Sequence, residues 1–258
     1  MTRVYLLGSI HMLRQDVYPL APVIEQAFAG SEILALEADI FTEPQADLQQ
    51  QLMDAATYQQ GETLKSELPK SDYLELMEIL LELGIPMQSV QQYHPWFASI
   101  MAEQVLLSRL GMRPEYGVDA YFWRKAAGQK GIEELESVEA QLAMFSRLSD
   151  QQQILMLSWD VEDLERAAQD FEQLLQCWQR GDVHAMEGEL QGEIQKDPRF
   201  KPIWDVLIDG RNLGMADRIA KFLGSKKRYF VVVGAAHLVG PKGLVALLRQ
   251  RGYAVQQL

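Results

Sequence analysis

Apolar residues near the start of the chain follow the pattern of two buried strands with a helix between them. Residues 4–7 and 33–36 are short apolar runs, and residues 22–28 carry apolar side chains at helical spacing. Short apolar runs are typical of strands buried on both faces, and Gly30 is a stop signal for the helix. The order strand, helix, strand therefore predicts a βαβ unit with parallel strands.

The end of the chain repeats this theme. Residues 229–233, Tyr-Phe-Val-Val-Val, form the most strand-like run in the sequence. Residues 241–251 begin with proline and are followed by Gly252, a combination that predicts a helix. Residues 253–258 are expected to form a closing strand.

The long middle of the chain is mostly helical in pattern. Helices are predicted over residues 71–83, 95–110, 137–145, 150–180, 182–195 and 201–223, and residues 132–135 form a candidate third strand. We therefore expect a single α/β domain over residues 1–258, with a central, mostly parallel sheet built from N-terminal and C-terminal βαβ-like halves. A large helical insertion, at about residues 42–225, is expected between these halves.

One short motif occurs at both ends of the chain: an apolar strand, Gly, two small or apolar residues, and His. Gly8 and His11 form the first copy, and Gly234 and His237 form the second. In a parallel sheet the loops after the carboxyl ends of the strands form the ligand crevice, so both histidines are expected at one edge. A single His after a strand is usually a capping or core residue. Two matched copies favour a functional pair, and two such imidazoles could share one metal ion.

Carboxylates follow the other candidate strands. Glu37 comes directly after residues 33–36, and Glu136 comes directly after residues 132–135. A carboxylate at the end of a buried strand is costly unless it is paired or binds a ligand. Together with the histidines these residues predict a divalent-cation site, in which one Glu could instead be a general base. An ion pair or a helix cap is the alternative for each Glu.

Other polar residues carry weaker signals. Arg211 and Asn212 stand where a helix begins, and the guanidinium could bind a substrate carboxylate, stabilise an oxyanion or form a surface ion pair. Asp119 is expected to cap the following helix. The single cysteine, Cys177, excludes an internal disulfide framework and lies in a helical pattern typical of inert packing.

Composition narrows the class of protein. The chain contains 24 Lys and Arg against 36 Asp and Glu, a net charge of −12, so nucleic acids and anionic membranes are not expected partners. No apolar run reaches about 18 residues, and no transmembrane helix is expected. The first residues show no leader, which predicts a cytoplasmic protein, or a periplasmic or exported one if a signal was trimmed. The pattern leaves the oligomeric state open.

The residues named above resemble a known family. The chain is similar to the TraB/GumN family, which includes the Tiki proteases and the pheromone-shutdown proteins and whose pattern is two G-x-x-H motifs with a Glu after the second strand. The resemblance covers essentially the whole chain. It is carried by Gly8 to His11, Glu37, Gly117-Val118-Asp119, Leu135-Glu136, residues 211–216 and residues 233–244. Many bacterial relatives carry an export signal that this sequence does not show.

The resemblance implies a fold related to the erythromycin-esterase and ChaN group and, from the Tiki branch, metal-dependent peptide hydrolysis with manganese or cobalt. His11 and His237 would bind the metal, and Glu37 would be a ligand or the base. Arg211 and Asn212 would support the site. In the mechanism that we expect, metal-bound water attacks an amide carbonyl, Glu37 or Glu136 accepts its proton, and Arg211 stabilises the oxyanion.

Two hypotheses in which the protein is not a catalyst remain open. The same edge could hold haem, a metal or a metal-dependent peptide without turnover, as the ChaN resemblance allows. It could also sequester a signal peptide as a regulatory module. For the hydrolase, the acidic surface favours neutral or basic peptides as substrates.

Overall fold

The centre of the molecule is a four-stranded parallel sheet. The computed structural model describes residues 3–42, 44–59, 61–161 and 164–258. The strands are β1 (Val4–Ser9), β2 (Ile33–Leu36), β3 (Gly131–Glu134) and β4 (Tyr229–Gly234), in the spatial order β1-β4-β2-β3. All three pairings are parallel. The predicted α/β class and parallel sheet are confirmed.

The last strand in the sequence lies between the first two. β1 and β2 are parallel, as predicted, but each pairs with β4 rather than with the other. Five of the six residues of β4 are buried, whereas the edge strand β3 carries Glu133 and Glu134. A strand that is apolar on both faces is stable only where neighbours and helices cover it, so β4 takes the interior position. The sheet therefore joins the two ends of the chain directly.

Helices make up most of the remaining structure. They are α1 (Pro22–Ala29), α2 (Gln45–Ala56), α3 (Leu64–Glu67), α4 (Lys70–Glu82), α5 (Pro95–Arg109), α6 (Val118–Ala126), α7 (Val138–Phe145), α8 (Asp150–Val161), α9 (Leu164–Arg180), α10 (Val183–Lys196), α11 (Phe200–Trp204), α12 (Gly210–Leu223) and α13 (Leu244–Gln250). Helices α2 to α12 follow β2 and precede β4, with β3 among them, which confirms the helical insertion. In the described ranges, no helix has both the length and the apolar composition needed to cross a membrane.

Alternate residues of the strands face two different helical layers. One layer contains α1, α6 and α9, whose Phe28, Phe122 and Leu175 share a buried cluster with Leu34 and Phe230 of the strands. The other layer contains α12 and α13, which pack against the opposite faces of β2 and β4. Helices α3, α4, α5 and α8 share a separate apolar cluster. The sheet is thus buried on both faces, as its apolar runs require.

Several predicted boundaries differ from the structure. Residues 253–258 do not form the predicted closing strand. Instead, the Arg249 side chain donates to the Val255 carbonyl at 3.2 Å, and the Gln257 side chain donates to the Gly181 carbonyl at 2.6 Å. Of the helix predicted over 150–180, the structure describes α8 (Asp150–Val161) and α9 (Leu164–Arg180), and residues 162–163 lie outside the described part. A π-helical turn, Asp205–Asp209, separates α11 from α12 within the helix predicted over 201–223.

Candidate functional site

Each strand of the sheet is followed by one of the candidate residues. His11 lies two residues after β1, Glu37 directly after β2, and Glu136 two residues after β3. His237 ends a short 3-10 turn that follows β4. Because all strands are parallel, the four residues gather at the carboxyl edge of the sheet.

Gly234, the last residue of β4, marks the centre of this edge. A Cβ atom at Gly234 would lie 3.5 Å from His11 Nε2, 3.5 Å from Glu37 Oε2 and 3.4 Å from His237 Cδ2. These three side chains, which follow three different strands, therefore surround one point on the backbone. Glycine at position 234 leaves the space in which they approach each other.

The two G-x-x-H motifs are alike in sequence but not in register. Gly8 of β1 lies opposite Val233, and Ser9 lies opposite Gly234. A Cβ atom at Gly8 would lie 3.0 Å from both the Cα and the Cβ atom of Ala235. The absence of a side chain at Gly8 thus allows Ala235, in the turn after β4, to pack against β1. The absence of a side chain at Gly234 leaves space for the candidate site residues. The duplicated pattern serves two different packing needs.

His237 is buried and its orientation is set by Asn212. The residue is 2% exposed, and Nδ1 lies 2.7 Å from Asn212 Oδ1. The Asn212 amide donates through Nδ2 to the carbonyl of Lys242 at 3.0 Å. Since that carbonyl only accepts, Oδ1 of Asn212 faces the ring, and Nδ1 of His237 carries the proton. The lone pair of a neutral His237 is therefore on Nε2, which faces the site.

His11 is held in the same manner by a carboxylate. Nδ1 of His11 lies 3.2 Å from Asp119 Oδ2, and Ser9 donates to Asp119 Oδ1 at 3.1 Å. The structure thus gives Asp119 a role that differs from the predicted helix cap: no side chain caps α6, and the carboxylate binds His11 across the fold. Both histidines therefore have Nδ1 engaged. At Gly234 the ring of His11 approaches with Nε2 and the ring of His237 with Cδ2, and Nε2 of His237 lies 3.3 Å from a nitrogen of Arg211.

Nearby carboxylates change the ionisation of His11. Burial lowers the pKa of this imidazole, but the hydrogen bond and charge of Asp119 and the charges of Glu37 and Glu103 outweigh it and raise the pKa to about 9. The side chain is 58% exposed, so solvent weakens these interactions without changing their direction. Glu103, on α5, gave no sequence signal that linked it to this edge.

Glu37 is bound at both carboxylate oxygens. Oε2 accepts from the backbone N–H of Gly234 at 2.9 Å, and Oε1 accepts from Gln141 at 3.1 Å and from Arg211. Burial raises the pKa of Glu37, but the contact with His237 and the charges of Arg211 and His11 outweigh it and hold this pKa well below its usual range. Glu37 is therefore a carboxylate at neutral pH.

Arg211 connects the carboxylates with His237. Its side chain is 12% exposed and donates to Glu136 Oε2 through Nε at 2.9 Å and through an Nη at 2.7 Å, and the same Nη donates to Glu37. The other Nη lies 3.3 Å from His237 Nε2 and donates to the Leu207 carbonyl at 2.9 Å. Leu207 lies in the π-helical turn before α12, and such turns are frequent at functional sites.

The donor atoms at this edge are of the types that bind a divalent ion, but in this structure their positions do not form a metal-binding cluster. Two imidazole nitrogens and a carboxylate are ligands that manganese, cobalt and zinc accept, and each imidazole has the second hydrogen bond typical of metal-binding histidines. Among the described residues, however, no three side chains of His, Cys, Asp or Glu stand close enough together to hold a metal ion. Arg211 occupies Glu37 and His237 instead.

Some residues of the site carry no signal in the sequence. Gln141 lies on α7 and Ser9 at the end of β1, and both have ordinary contexts in the sequence. Asp119 had a signal, its position in the Gly-Val-Asp motif that the family resemblance includes. Its role could not be read from that motif, because Ser9 and Asp119 are 110 residues apart.

Gly117 offers a stability test of the contact that positions His11. A Cβ atom at Gly117 would lie 2.2 Å from the carbonyl oxygen of His11 and 2.8 Å from its carbonyl carbon. Gly117→Ala is expected to lower the free energy of unfolding by about 1–3 kcal/mol, because backbone must move to relieve the overlap. Denaturant unfolding measures this, with Gly188→Ala as the control.

The control residue lies in helix α10, where a Cβ atom would meet nothing within 4 Å. Gly188→Ala is expected to raise the free energy of unfolding by up to about 1 kcal/mol, since alanine is the better helix former. Equal stabilities for the two variants would contradict the close contact between Gly117 and His11.

Comparisons with known proteins give matches that extend over most of the chain. The model of the TraB/PrgY/gumN family matches residues 1–257. Two curated relatives, each named "Uncharacterized protein YbaP" and coming from Escherichia coli (strain K12) and Shigella flexneri, are 27% identical over 246 residues. These matches cover 95% of this chain and 87% of each relative. No solved structure gives a significant match.

Proposed function

The chain belongs to the TraB/PrgY/gumN family, and from this membership and the site geometry we propose that it is a divalent-metal-dependent hydrolase that cleaves peptide bonds. One observation carries the proposal. His11 and His237, from opposite ends of the chain, both have Nδ1 held by a side chain and face Gly234, with the Glu37 carboxylate beside them. This combination of donors and supporting contacts is typical of metal centres.

His11 Nε2, His237 Nε2 and Glu37 would hold the ion, with manganese or cobalt the first metals to test. When bound, such an ion polarises a carbonyl and lowers the pKa of a water molecule. Asp119 and Asn212 would orient the two imidazoles. The enclosing carboxylates and the net charge of −12 favour peptides that are neutral or basic.

Glu136 is the better candidate for the general base. Both oxygens of Glu37 accept hydrogen bonds, whereas Glu136 meets Arg211 through Oε2 alone among the described residues. Oε1 of Glu136 is thus available to take a proton from an attacking water. Arg211, from the start of α12, would then place positive charge where negative charge develops on the substrate oxygen.

Manganese titration tests the proposal directly. Calorimetry on chelator-stripped protein is expected to show micromolar binding that His11→Ala and His237→Ala each abolish. His184→Ala is the matched control, because His184 is exposed on α10 and should leave binding unchanged. Failure of the wild type to bind manganese or cobalt, or unchanged binding in both site variants, would overturn the metal centre.

Peptide cleavage tests the catalytic half of the proposal. A peptide library incubated with the manganese-loaded protein is expected to be cleaved, and Glu136→Gln is expected to reduce the rate by about 10²- to 10⁴-fold, the usual contribution of a general base. Chelator should stop the reaction. Tight peptide binding without cleavage on long incubation would instead favour a binding or regulatory protein, and cleavage that resists chelator would exclude the proposed mechanism.

A further inference from the structure

Arg211 lies on the atoms that the proposed ion would use. Its guanidinium donates to Glu37 Oε1 and stands 3.3 Å from His237 Nε2, so it contacts two of the three proposed ligand residues. It also binds Glu136 Oε2 through two nitrogens. One side chain thus spans most of the centre.

The contact between Arg211 and His237 shows why Arg211 and a metal ion cannot occupy the centre together. Because Nδ1 of His237 donates to Asn212, a neutral ring has one lone pair, on Nε2. In the structure that lone pair faces a nitrogen of Arg211. An ion bound to Nε2 would need the same lone pair, so the two contacts exclude each other.

The charges lead to the same conclusion. The side chains of Glu37 and Glu136 are only 13% and 16% exposed, and the guanidinium lies between them. A divalent ion at these carboxylates would supply the same compensation. Two cations at such short range repel each other strongly, the more so where solvent is largely excluded. The carboxylates can therefore be shared by Arg211 and an ion only at a high energetic cost.

We propose that Arg211 and the divalent ion are alternative occupants of the centre, so that metal binds only after the guanidinium has left Glu37 and His237. This inference rests on the proposed metal-dependent function. Arg211 then acts as an internal cation that keeps the carboxylates and His237 in place until metal arrives. It becomes free for a substrate or an oxyanion once metal is bound.

The proposal makes an unusual prediction for metal affinity. If the wild type binds metal only from the fraction of molecules in which Arg211 has moved away, its apparent affinity is reduced by that fraction. Minor conformations are commonly populated at about 0.1–10%, so Arg211→Met is expected to bind manganese at least about tenfold more tightly than the wild type. An arginine that merely supports the metal would give the opposite result.

Manganese calorimetry on the full chain measures this change, with thermal unfolding at several metal concentrations as a second readout. Arg218→Met is the matched control. Arg218 lies on the same helix, α12, is 44% exposed and stands 3.9 Å from its nearest carboxylate partner, Glu133. The Arg218→Met substitution removes the same charge without changing any contact in the centre. Its affinity should equal that of the wild type.

Arg211→Lys provides a second variant in case Arg211→Met does not fold without metal. A lysine keeps the charge but cannot span Glu37, Glu136 and His237 together, so its affinity is also expected to exceed that of the wild type. Equal or weaker affinity in a folded Arg211 variant, with binding in the wild type, overturns this inference and leaves the metal centre intact. Absence of binding in the wild type and in the Arg211 variants overturns both proposals.

Discussion

Arg211→Met is expected to lower the free energy of unfolding by about 3–5 kcal/mol, because it leaves buried carboxylates without their cation. Glu37 and Glu136 both bind Arg211 and are mostly shielded from solvent. The affected group also includes the Leu207 carbonyl, which accepts from the guanidinium at 2.9 Å. Denaturant unfolding in the presence of chelator, with no metal to replace the lost charge, measures the effect.

Two comparisons separate this prediction from a general loss of charge. Arg218→Met removes an exposed arginine from the same helix and is expected to cost about 1 kcal/mol or less. In the Arg211→Met background, Glu136→Gln removes one of the two carboxylates that have lost their cation. This second substitution should recover part of the lost free energy of unfolding. An Arg211→Met protein as stable as the wild type would contradict the ion-pair network described above.

Phe122→Ala is expected to lower the free energy of unfolding by about 3–5 kcal/mol, since it opens a cavity in the main core. Phe122 is fully buried on α6, with ring centroids 4.9 Å from Phe28 and 4.8 Å from Phe230. It therefore links α6 and α1 to the central strand β4. Calorimetric or denaturant unfolding gives the magnitude.

The same helix carries Asp119 one turn earlier, so a loss of packing at Phe122 should also loosen the support of His11. Leu81→Ala is a suitable control, because Leu81 is 73% exposed on α4 and its truncation should change stability by no more than about 0.5 kcal/mol. Similar losses in both variants would show that the aromatic cluster does not carry the stability assigned to it.

The sequence identified the carboxyl edge of the sheet because the evidence for it is local. Each candidate residue follows a candidate strand, either directly or after a short Gly-x-x segment, so the strand pattern places it near a strand end. His11, Glu37, Glu136 and His237 do follow the four strands of the sheet. Their metal-binding and catalytic roles stay predictions that the titrations and cleavage assays will test.

Asp119 shows where local reasoning stops. An acidic residue at the start of a helix usually caps that helix, which made a capping role the natural expectation. The structure directs the carboxylate to His11 instead, because the α6 end and the loop after β1 meet closely at Gly117. Such an encounter depends on how distant segments pack, and no periodicity reports it.

The sequence by itself determined the parallel α/β fold, the helical insertion and the set of residues at the carboxyl edge, since short apolar runs and their following residues encode these features locally. Only the tertiary structure decided the strand order and the contacts of Arg211. Arg211 and Glu37 are 174 residues apart in the chain, and β4 separates β1 from β2 although they are joined through one helix. The strand order and the Arg211 contacts both depend on which apolar faces and which buried charges meet when the chain packs. That pairing is a property of the whole folded molecule.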